Sequence, residues 1–174
     1  MSDDSRHNNE KLVHAYNQMM IRVSEALTKA EKATEPLLHK TIDAAEEKAV
    51  ELGEVTREEA IKIGEFLRRD LQDAGKYLAS DEAQELKDWL LFDIEMIETQ
   101  LLDMLLSVAD QAKLDMLDFE EDLAEATEYR TGQITGPGTL NCMDCGELLH
   151  FHKAGHIPPC PKCHGTYYVR PGKE

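Results

Sequence analysis

The chain has 174 residues, and its 35 acidic against 19 basic residues give a formal net charge of −16. Residues 1–138 hold 32 of the acidic and 15 of the basic residues and sum to −17, whereas residues 139–174 sum to +1. An acidic body of this kind repels phosphate backbones and anionic lipids, which excludes DNA wrapping and membrane-surface binding for this part of the chain. Attraction to a basic partner and simple solvation of helix faces remain as interpretations of the acids.

The first 130 residues have the composition of a helical region. They contain one Pro and three Gly and are rich in Ala, Leu, Glu, Lys and Met, which favour helices. Apolar residues recur at steps of three and four, the spacing of the buried face of a packed helix. In the first segment these residues are Leu12, Tyr16, Met19, Val23, Ala26 and Ala30. We therefore expect a mainly α fold, with a long antiparallel helical hairpin or bundle in this part of the chain.

A second helix is predicted over 36–52. Pro36 should interrupt the first helix, because proline is tolerated in the first turn of a helix but not in its interior. Gly53 provides a C-terminal cap. The predicted buried face consists of Leu38, Ile42, Ala45, Ala49 and Leu52.

A third helix is predicted over 56–79. Thr56 and Glu59 have the spacing of a capping box at its start. Because the connection to the second helix is short, the two helices should form an antiparallel hairpin. The predicted buried face consists of Ala60, Ile63, Leu67, Leu71, Ala74 and Leu78.

A fourth helix is predicted over 82–128, and it has two apolar faces. The face expected in the core consists of Leu90, Ile94, Ile97, Leu101, Leu105 and Val108. Trp89, Phe92 and Met96 fall on the opposite face, among polar residues. This second patch would cover another helix, receive the C-terminal part, or form a partner or homo-oligomer contact.

Neither end of the helical region signals secretion or membrane insertion. The N-terminus lacks the apolar core of a signal peptide. The most apolar stretch, Trp89 to Val108, contains four acids, which argues against a membrane span. We therefore expect a protein of the reducing cytoplasm, with no membrane partner.

Residues 131–139 read TGQITGPGT, with three Gly and one Pro. This composition predicts a flexible linker. The sequence thus divides into an acidic helical bundle over 1–130, the linker over 131–139, and a C-terminal segment over 140–174. That segment holds all four cysteines in two C-x-x-C pairs, which is typical of a small β zinc ribbon.

The four cysteines form two C-x-x-C pairs separated by 14 residues. This paired spacing is typical of zinc sites, and a redox dithiol or an iron site is the alternative. Four thiolates would fill the tetrahedral positions and leave none for water, so one structural Zn²⁺ is expected. The predicted ligands are Cys142, Cys145, Cys160 and Cys163.

Two short strands, over 148–152 and 166–170, are expected to connect the cysteine turns. So short a segment buries little apolar surface, and metal binding would supply the energy for its folding. Nearby histidines could donate to a sulfur or replace a ligand, although surface positions are the simpler interpretation. These are His150, His152, His156 and His164.

Two helical motifs and the ribbon together resemble the YbeL-like family of bacterial zinc-ribbon-containing proteins. The motifs are Gly53-Glu54-Val55-Thr56-Arg57-Glu58-Glu59 and Leu67-Arg68-Arg69-Asp70-Leu71, which precede the paired cysteines in the family's order. The second cysteine turn here reads C-P-K-C-H-G, where the family pattern has Gly directly after the second cysteine. The resemblance implies this architecture over most of the chain and no catalytic residues.

No catalytic signature is present. The sequence has no G-x-S-x-G, no phosphate-binding glycine loop and no cysteine left over as a nucleophile. Its one Glu-x-x-His spacing, Glu147 to His150, lies in the ribbon and not in a di-iron bundle. Glu98 lies near the apolar face of the fourth helix and is expected to be an edge residue or ion-pair partner. We expect a non-enzymatic protein.

Two functions fit these features. The first is an interaction or adaptor protein whose acidic helical body presents the ribbon to a protein partner. The alternative is a nucleic-acid-associated factor in transcription or translation that binds through the ribbon. The basic and aromatic residues available for that contact are Lys153, Lys162, Arg170, Lys173, Phe151, Tyr167 and Tyr168.

Overall fold

The computed structural model describes residues 3–30, 35–79, 103–104, 106–108 and 128–171. A helical N-terminal part precedes a small antiparallel β region that carries the cysteines, as expected. The helices are α1 (Asp3–Thr28), α2 (Glu35–Glu51) and α3 (Arg57–Ala79). The strands are β1 (Tyr129–Arg130), β2 (Ile134–Thr135), β3 (Gly138–Cys142), β4 (Leu148–Phe151), β5 (Gly155–His156) and β6 (Tyr167–Val169).

The three helices share one apolar core. Most residues of the predicted buried faces lie in it, because apolar side chains at helical spacing point to one side. Two predictions were wrong: Leu52 is 55% exposed, since it follows the last residue of α2, and Ala26 is also exposed. The side chain of Leu78 lies outside the described residues. The core residues of the helices are Ala15, Tyr16, Met19, Met20, Val23, Leu27, Leu38, Ile42, Ala45, Ala49, Ala60, Ile63, Leu67, Leu71 and Ala74.

The turn between α2 and α3 has the caps that the sequence predicts. The N–H of Gly53 bonds to the carbonyl of Val50, and that of Glu54 to the carbonyl of Ala49, each at 3.0 Å, which is a Schellman arrangement. The Glu59 N–H donates to Thr56 Oγ1 at 3.3 Å, and the Thr56 N–H donates to Glu59 Oε2 at 2.9 Å. These bonds satisfy backbone groups that the helix ends leave unpaired, so α3 begins where the capping box predicts.

The predicted fourth helix lies mostly outside the described residues, and so do Trp89, Phe92, Met96 and Glu98. Residues 103–104 and 106–108 are helical. Val108 is buried in the core of α1–α3, as the predicted core face requires.

The strands form a four-stranded antiparallel sheet in the order β1-β6-β3-β4 and a two-stranded sheet of β2 and β5. In the larger sheet, Asn141 of β3 pairs with Leu148 of β4 on one side and with Val169 of β6 on the other. The two predicted strands correspond to β4 and β6. One face of the sheet packs around a second apolar cluster, which comprises Tyr129, Leu140, Cys142, Leu149, Ile157, Cys160 and Tyr168.

The segment 131–139 is not the exposed flexible connection that its composition predicts. It forms a turn, β2 and the start of β3, and every residue from 134 to 139 is buried. Two of its glycines adopt backbone conformations that other residues avoid, since Gly132 and Gly138 have positive φ angles of 89° and 137°. The division of the chain into the three predicted domains stays a prediction.

Within the described residues, no helix has both the length and the apolar character that a membrane crossing needs.

Candidate metal centre

Two turns bring the four predicted cysteines together. Cys142 is the last residue of β3 and Cys145 follows in the turn to β4, while Cys160 and Cys163 flank the turn before β6. Strands β3 and β6 are neighbours, with Cys142 opposite Tyr168, so the sheet places one cysteine turn beside the other. The β ladder therefore converts a sequence separation of 14 residues into direct contact between the pairs.

The sulfur atoms form a compact group. Cys142 Sγ lies 3.6 Å from Cys163 Sγ, and Cys145 Sγ lies 3.6 Å from Cys160 Sγ, so each short contact joins one pair to the other. All four sulfurs lie within 4.8 Å of one another. A tetrahedral zinc with Zn–S bonds of about 2.3 Å would separate its sulfurs by roughly 3.8 Å. The four thiols are free, and their spacing fits a shared ion and not disulfides.

The two cysteine turns have the same backbone geometry despite different sequences. The Gly146 N–H bonds to the Cys142 carbonyl at 2.9 Å, and the His164 N–H bonds to the Cys160 carbonyl at 2.9 Å. Gly146 has φ of 73°, and His164, at the matching position of the second turn, has φ of 60°. The second turn thus keeps the geometry of the first with a non-glycine residue in a left-handed conformation.

The proximity of the sulfurs governs their protonation. Burial opposes ionisation of Cys160, but the backbone N–H groups of Cys163 and Lys162 lower the pKa of its thiol to about 7. The Gly165 N–H, which lies 3.4 Å from Cys163 Sγ, likewise favours a lower pKa for the Cys163 thiol. The neighbouring sulfurs outweigh it and raise the pKa of Cys163 to about 12. Four thiolates this close repel one another, so a bound dication is what would allow all four to ionise.

Two of the four histidines near the site make contacts other than with the sulfurs. In the part of the chain that the structure describes, the compact group of potential metal ligands consists of the four cysteines alone. His150 Nδ1 is 2.9 Å from Thr139 Oγ1. His156 lies between the carbonyls of Gly132 and Asn9, at 3.0 and 3.3 Å. His156 therefore links the ribbon to α1 and does not approach the sulfurs.

Two residues offered for nucleic-acid contact are buried. Tyr168 packs inside the ribbon, with its hydroxyl donating to the Pro158 carbonyl at 2.7 Å. Arg170 is 2% exposed. Lys153, Lys162 and Tyr167 are exposed, Phe151 is half-buried, and Lys173 lies outside the described residues. The basic and aromatic surface of the ribbon is therefore smaller than the sequence indicates.

A buried polar cluster between α3 and the ribbon was missed by the sequence reasoning. Arg69 donates to the Ile134 carbonyl and to Gln133 Oε1, both at 2.7 Å, and the Gly136 N–H donates to Asp70 Oδ2 at 2.8 Å. The available signal was the R-R-D motif, because it places a carboxylate beside Leu67 and Leu71 on the buried face of α3. The members of this cluster, here called the junction, are Tyr16, Arg69, Asp70, Asp73, Tyr129, Thr135 and Arg170.

Comparisons with known proteins agree with a zinc-ribbon domain. The family model for the zinc-ribbon containing domain matches residues 25–171. Three relatives from Escherichia coli, of strains K12, O6:H1 and O157:H7, bear the name "Uncharacterized protein YbeL". Each is 27% identical over 166 residues, which cover 92% of this chain and 97% of the relative. No solved structure matches the chain.

Proposed function

We propose, from the premise that the chain belongs to the family of zinc-ribbon containing domain proteins, that it is a non-enzymatic interaction protein with one structural zinc ion. Membership agrees with the resemblance that the helical motifs and the paired cysteines indicate. The free thiols support a place in the reducing cytoplasm. The function has two parts, a metal that holds the ribbon together and a surface that the ribbon offers to a partner.

The zinc assignment rests on the donor set and on its geometry. Cys142, Cys145, Cys160 and Cys163 provide four sulfurs within 4.8 Å, and zinc favours closed tetrahedral thiolate sites. When bound, the ion would neutralise the thiolates and stabilise the ribbon. Metal analysis of protein purified under reducing conditions should give one zinc per chain. Cys160→Ser should lose it, while His150→Ala should retain it. One iron per chain, or no metal, would contradict the assignment.

The observation that carries the interaction role is an apolar face on the outer side of the four-stranded sheet. Among the described residues, five large hydrophobic side chains are exposed, and Met143, Leu148 and Tyr167 of the ribbon are three of them, at 56, 41 and 43%. Residues that pair across antiparallel strands share a face, which places Leu148 on the same face as Asn141 and Val169. Tyr167, two residues before Val169 in β6, lies on this face as well. The Met143 N–H bonds to the Tyr167 carbonyl at 3.0 Å, which extends the ladder to Met143.

The chemistry of this outer face favours a protein partner. The Arg130 guanidinium lies over the Tyr167 ring at 5.1 Å, so one side of the ring is already covered. An apolar centre with a polar rim is the usual anatomy of a protein–protein interface, and Tyr and Met are enriched there. We therefore infer a partner that offers a complementary apolar patch.

The helical part would serve as the body that carries this face. We propose that the helices α1–α3 belong to an antiparallel bundle completed by residues 80–127, with coiled-coil-like packing. Trp89, Phe92 and Met96 would then provide a second apolar contact, for a partner or for a second copy of the chain.

The experiment is a crosslinking pull-down from native cells with the full chain and matched surface variants. The double variant Leu148→Ser, Tyr167→Ser should lose a discrete crosslinked protein while keeping its zinc. Leu52 and Ile61 are the two other exposed large hydrophobic residues of the described part, and they lie on the helical part, so Leu52→Ser, Ile61→Ser is the control. Equal capture by both double variants would reject the outer face as the interface.

The alternative is nucleic-acid binding through the ribbon, with Lys153, Lys162 and Tyr167 as the exposed contacts. We favour the protein partner because Tyr168 and Arg170 are buried and Lys162 lies 3.5 Å from the carboxylate of Glu147. A salt-dependent gel shift with RNA or DNA that Lys153→Ala weakens would reverse this preference.

A further inference from the structure

Strand β6 connects the cysteine site directly to the helices. It begins four residues after Cys163, and its central residue Tyr168 lies opposite Cys142. Arg170 follows the last residue of β6 and belongs to the junction, where it is 2% exposed. A single short strand therefore joins the proposed zinc site at one end to a buried charge at the other.

Arg170 reaches α3 through Tyr129. Its Nε lies 3.3 Å from the Tyr129 hydroxyl, which in turn donates to Asp73 Oδ2 at 2.6 Å. The Tyr129 ring lies against two guanidinium groups, that of Arg69 at 3.9 Å and that of Arg170 at 5.1 Å. Arg170 also donates to Thr135 Oγ1 at 3.1 Å. The ribbon and the helix thus share one continuous set of charge-assisted contacts.

The ribbon and α3 both contribute buried charges to the junction. Arg69, Asp70 and Asp73 belong to α3, and each is at most 4% exposed. Arg170 brings the second positive charge from the ribbon. Loss of Arg170 would remove one member of this buried network, and removing one partner from a set of buried charges is strongly destabilising. Asp70 also accepts the hydrogen bond of Tyr16, so the effect would extend to α1.

We propose that the junction couples metal binding in the ribbon to the folding of the helices α1–α3. With metal bound, the cysteine turns fix β6 and hold Arg170 against Tyr129. After metal loss, β6 and Arg170 leave, and the buried acids of α3 open the helical core toward solvent. The inference rests on the zinc binding proposed above, and it makes the metal a determinant of the whole molecule and not of the ribbon alone.

Hydrogen exchange of the full chain, with and without a zinc chelator, tests this coupling. Backbone amides of the ribbon should lose protection after metal removal, and so should the amides of α3 around Asp70 and Asp73. We expect exchange there to become faster by about tenfold or more. If the ribbon amides lose protection while those of α3 keep theirs, the coupling is rejected although the zinc site stands. If the purified chain holds no metal, both proposals fail.

Arg170→Met separates the contact from metal ligation, because Arg170 is not a ligand. This variant should still bind one zinc, and its α3 amides should exchange fast whether or not the chelator is present. Lys153→Met is the matched control, since Lys153 is an exposed ribbon cation outside the two cysteine turns, and it should respond to the chelator as the natural chain does. If the α3 amides of Arg170→Met were protected with metal and lost protection with the chelator, as in the natural chain, the proposal would be overturned.

Tyr129→Phe provides a milder variant if Arg170→Met does not fold. It keeps the ring between the guanidinium groups but removes the hydroxyl that bonds to Asp73. Its α3 amides should exchange faster than those of the natural chain in the metal-bound state, with zinc content unchanged. Unchanged exchange in this variant would likewise count against the junction as the coupling element.

Discussion

Tyr16 of α1 donates a 2.6 Å hydrogen bond to Asp70 of α3, although 54 residues separate them in the sequence. Asp70 also accepts the N–H of Gly136 at 2.8 Å and the guanidinium of Arg69 at 3.1 Å. Both Tyr16 and Asp70 are buried. One carboxylate therefore joins the first helix, the third helix and the segment that leads into β3.

Tyr16→Phe should lower the free energy of unfolding by about 1–3 kcal/mol, because a buried carboxylate loses one of its donors while the ring volume is conserved. Urea denaturation followed by circular dichroism would measure the change. Tyr167→Phe removes a hydroxyl from an exposed ring and should have almost no effect. Equal effects of the two substitutions would show that the Tyr16 bond contributes nothing.

High pH should destabilise the fold through its buried tyrosines. Burial, reinforced by the charge of Asp70, raises the pKa of Tyr16 well above 10.0, and burial likewise raises the pKa of Tyr129. A pKa raised in the folded state gives stability that is present below pH 10.0 and is lost as pH rises through the folded pKa. Phenolate absorbance should show Tyr16 and Tyr129 ionising only together with unfolding, and ionisation before unfolding would contradict this.

Low pH should weaken the contact between α1 and the α2–α3 turn. The two-point hydrogen bond from Arg22 lowers the pKa of Glu54 below 4.5. A lowered pKa gives stability that is present above pH 4.5 and is lost as pH falls through the folded pKa. Glu54→Gln should therefore cost about 1 kcal/mol near neutral pH and almost nothing in acid, as measured by urea denaturation.

The stability contributed by Glu46 should have the opposite pH dependence to that of Glu54. Burial raises the pKa of Glu46 above 4.5 although Arg68 lies 3.2 Å away. Its contribution to stability is present below pH 4.5 and falls as pH rises through the raised pKa. Glu46→Gln should thus be tolerated better near neutral pH than Glu54→Gln, and the reverse order would contradict both assignments.

Gly138→Ala should destabilise the junction. Its φ of 137° is strained for any residue with a Cβ, and that Cβ would overlap Nη1 of Arg170. Arg170 is buried and cannot move aside without losing its own bonds, so we expect a loss of about 2 kcal/mol or more. Gly132→Ala has similar backbone strain, with a φ of 89°, but meets no atom within 4 Å, and it should cost less. Thermal unfolding would compare the two variants.

His164→Gly should stabilise the second cysteine turn. A left-handed conformation costs a non-glycine residue about 1–2 kcal/mol, and the greater flexibility of unfolded glycine returns part of this. The expected net gain is about 0.5 kcal/mol, with zinc content unchanged. Competition with a graded chelator should show metal held at least as tightly as in the natural chain. Gly146→Ala introduces a Cβ at the matching left-handed position of the first cysteine turn and should weaken zinc retention.

Local signals in the sequence were sufficient for much of the architecture. The caps at Gly53 and Thr56 fixed the boundary between α2 and α3, because their hydrogen bonds form within a few residues of one another. The core stripes followed from helical spacing. Strands β4 and β6 were recognisable from their residue types. Strand β2 and the start of β3 were not, since they lie in a glycine-rich stretch that resembles a linker, and β1 and β5 are only two residues long.

The four candidate ligands could be named from spacing alone, because each C-x-x-C turn presents its two sulfurs without help from distant residues. The surroundings of the site could not be predicted from the sequence. Arg170 and Tyr168 were candidates for a nucleic-acid contact, with packing inside the ribbon as the alternative for the aromatic ring. Their burial depends on β6 lying beside β3 and on α3 lying beneath Arg170.

The sequence by itself indicated the family through its motifs. It also determined the three helices, the caps between α2 and α3 and the two cysteine turns, since these depend on contacts within one short segment. Only the tertiary structure decided that Arg69, Asp70, Asp73 and Arg170 meet in one buried junction. Charges on distant segments can be buried only when the fold pairs them, and no local pattern records which partner each will find.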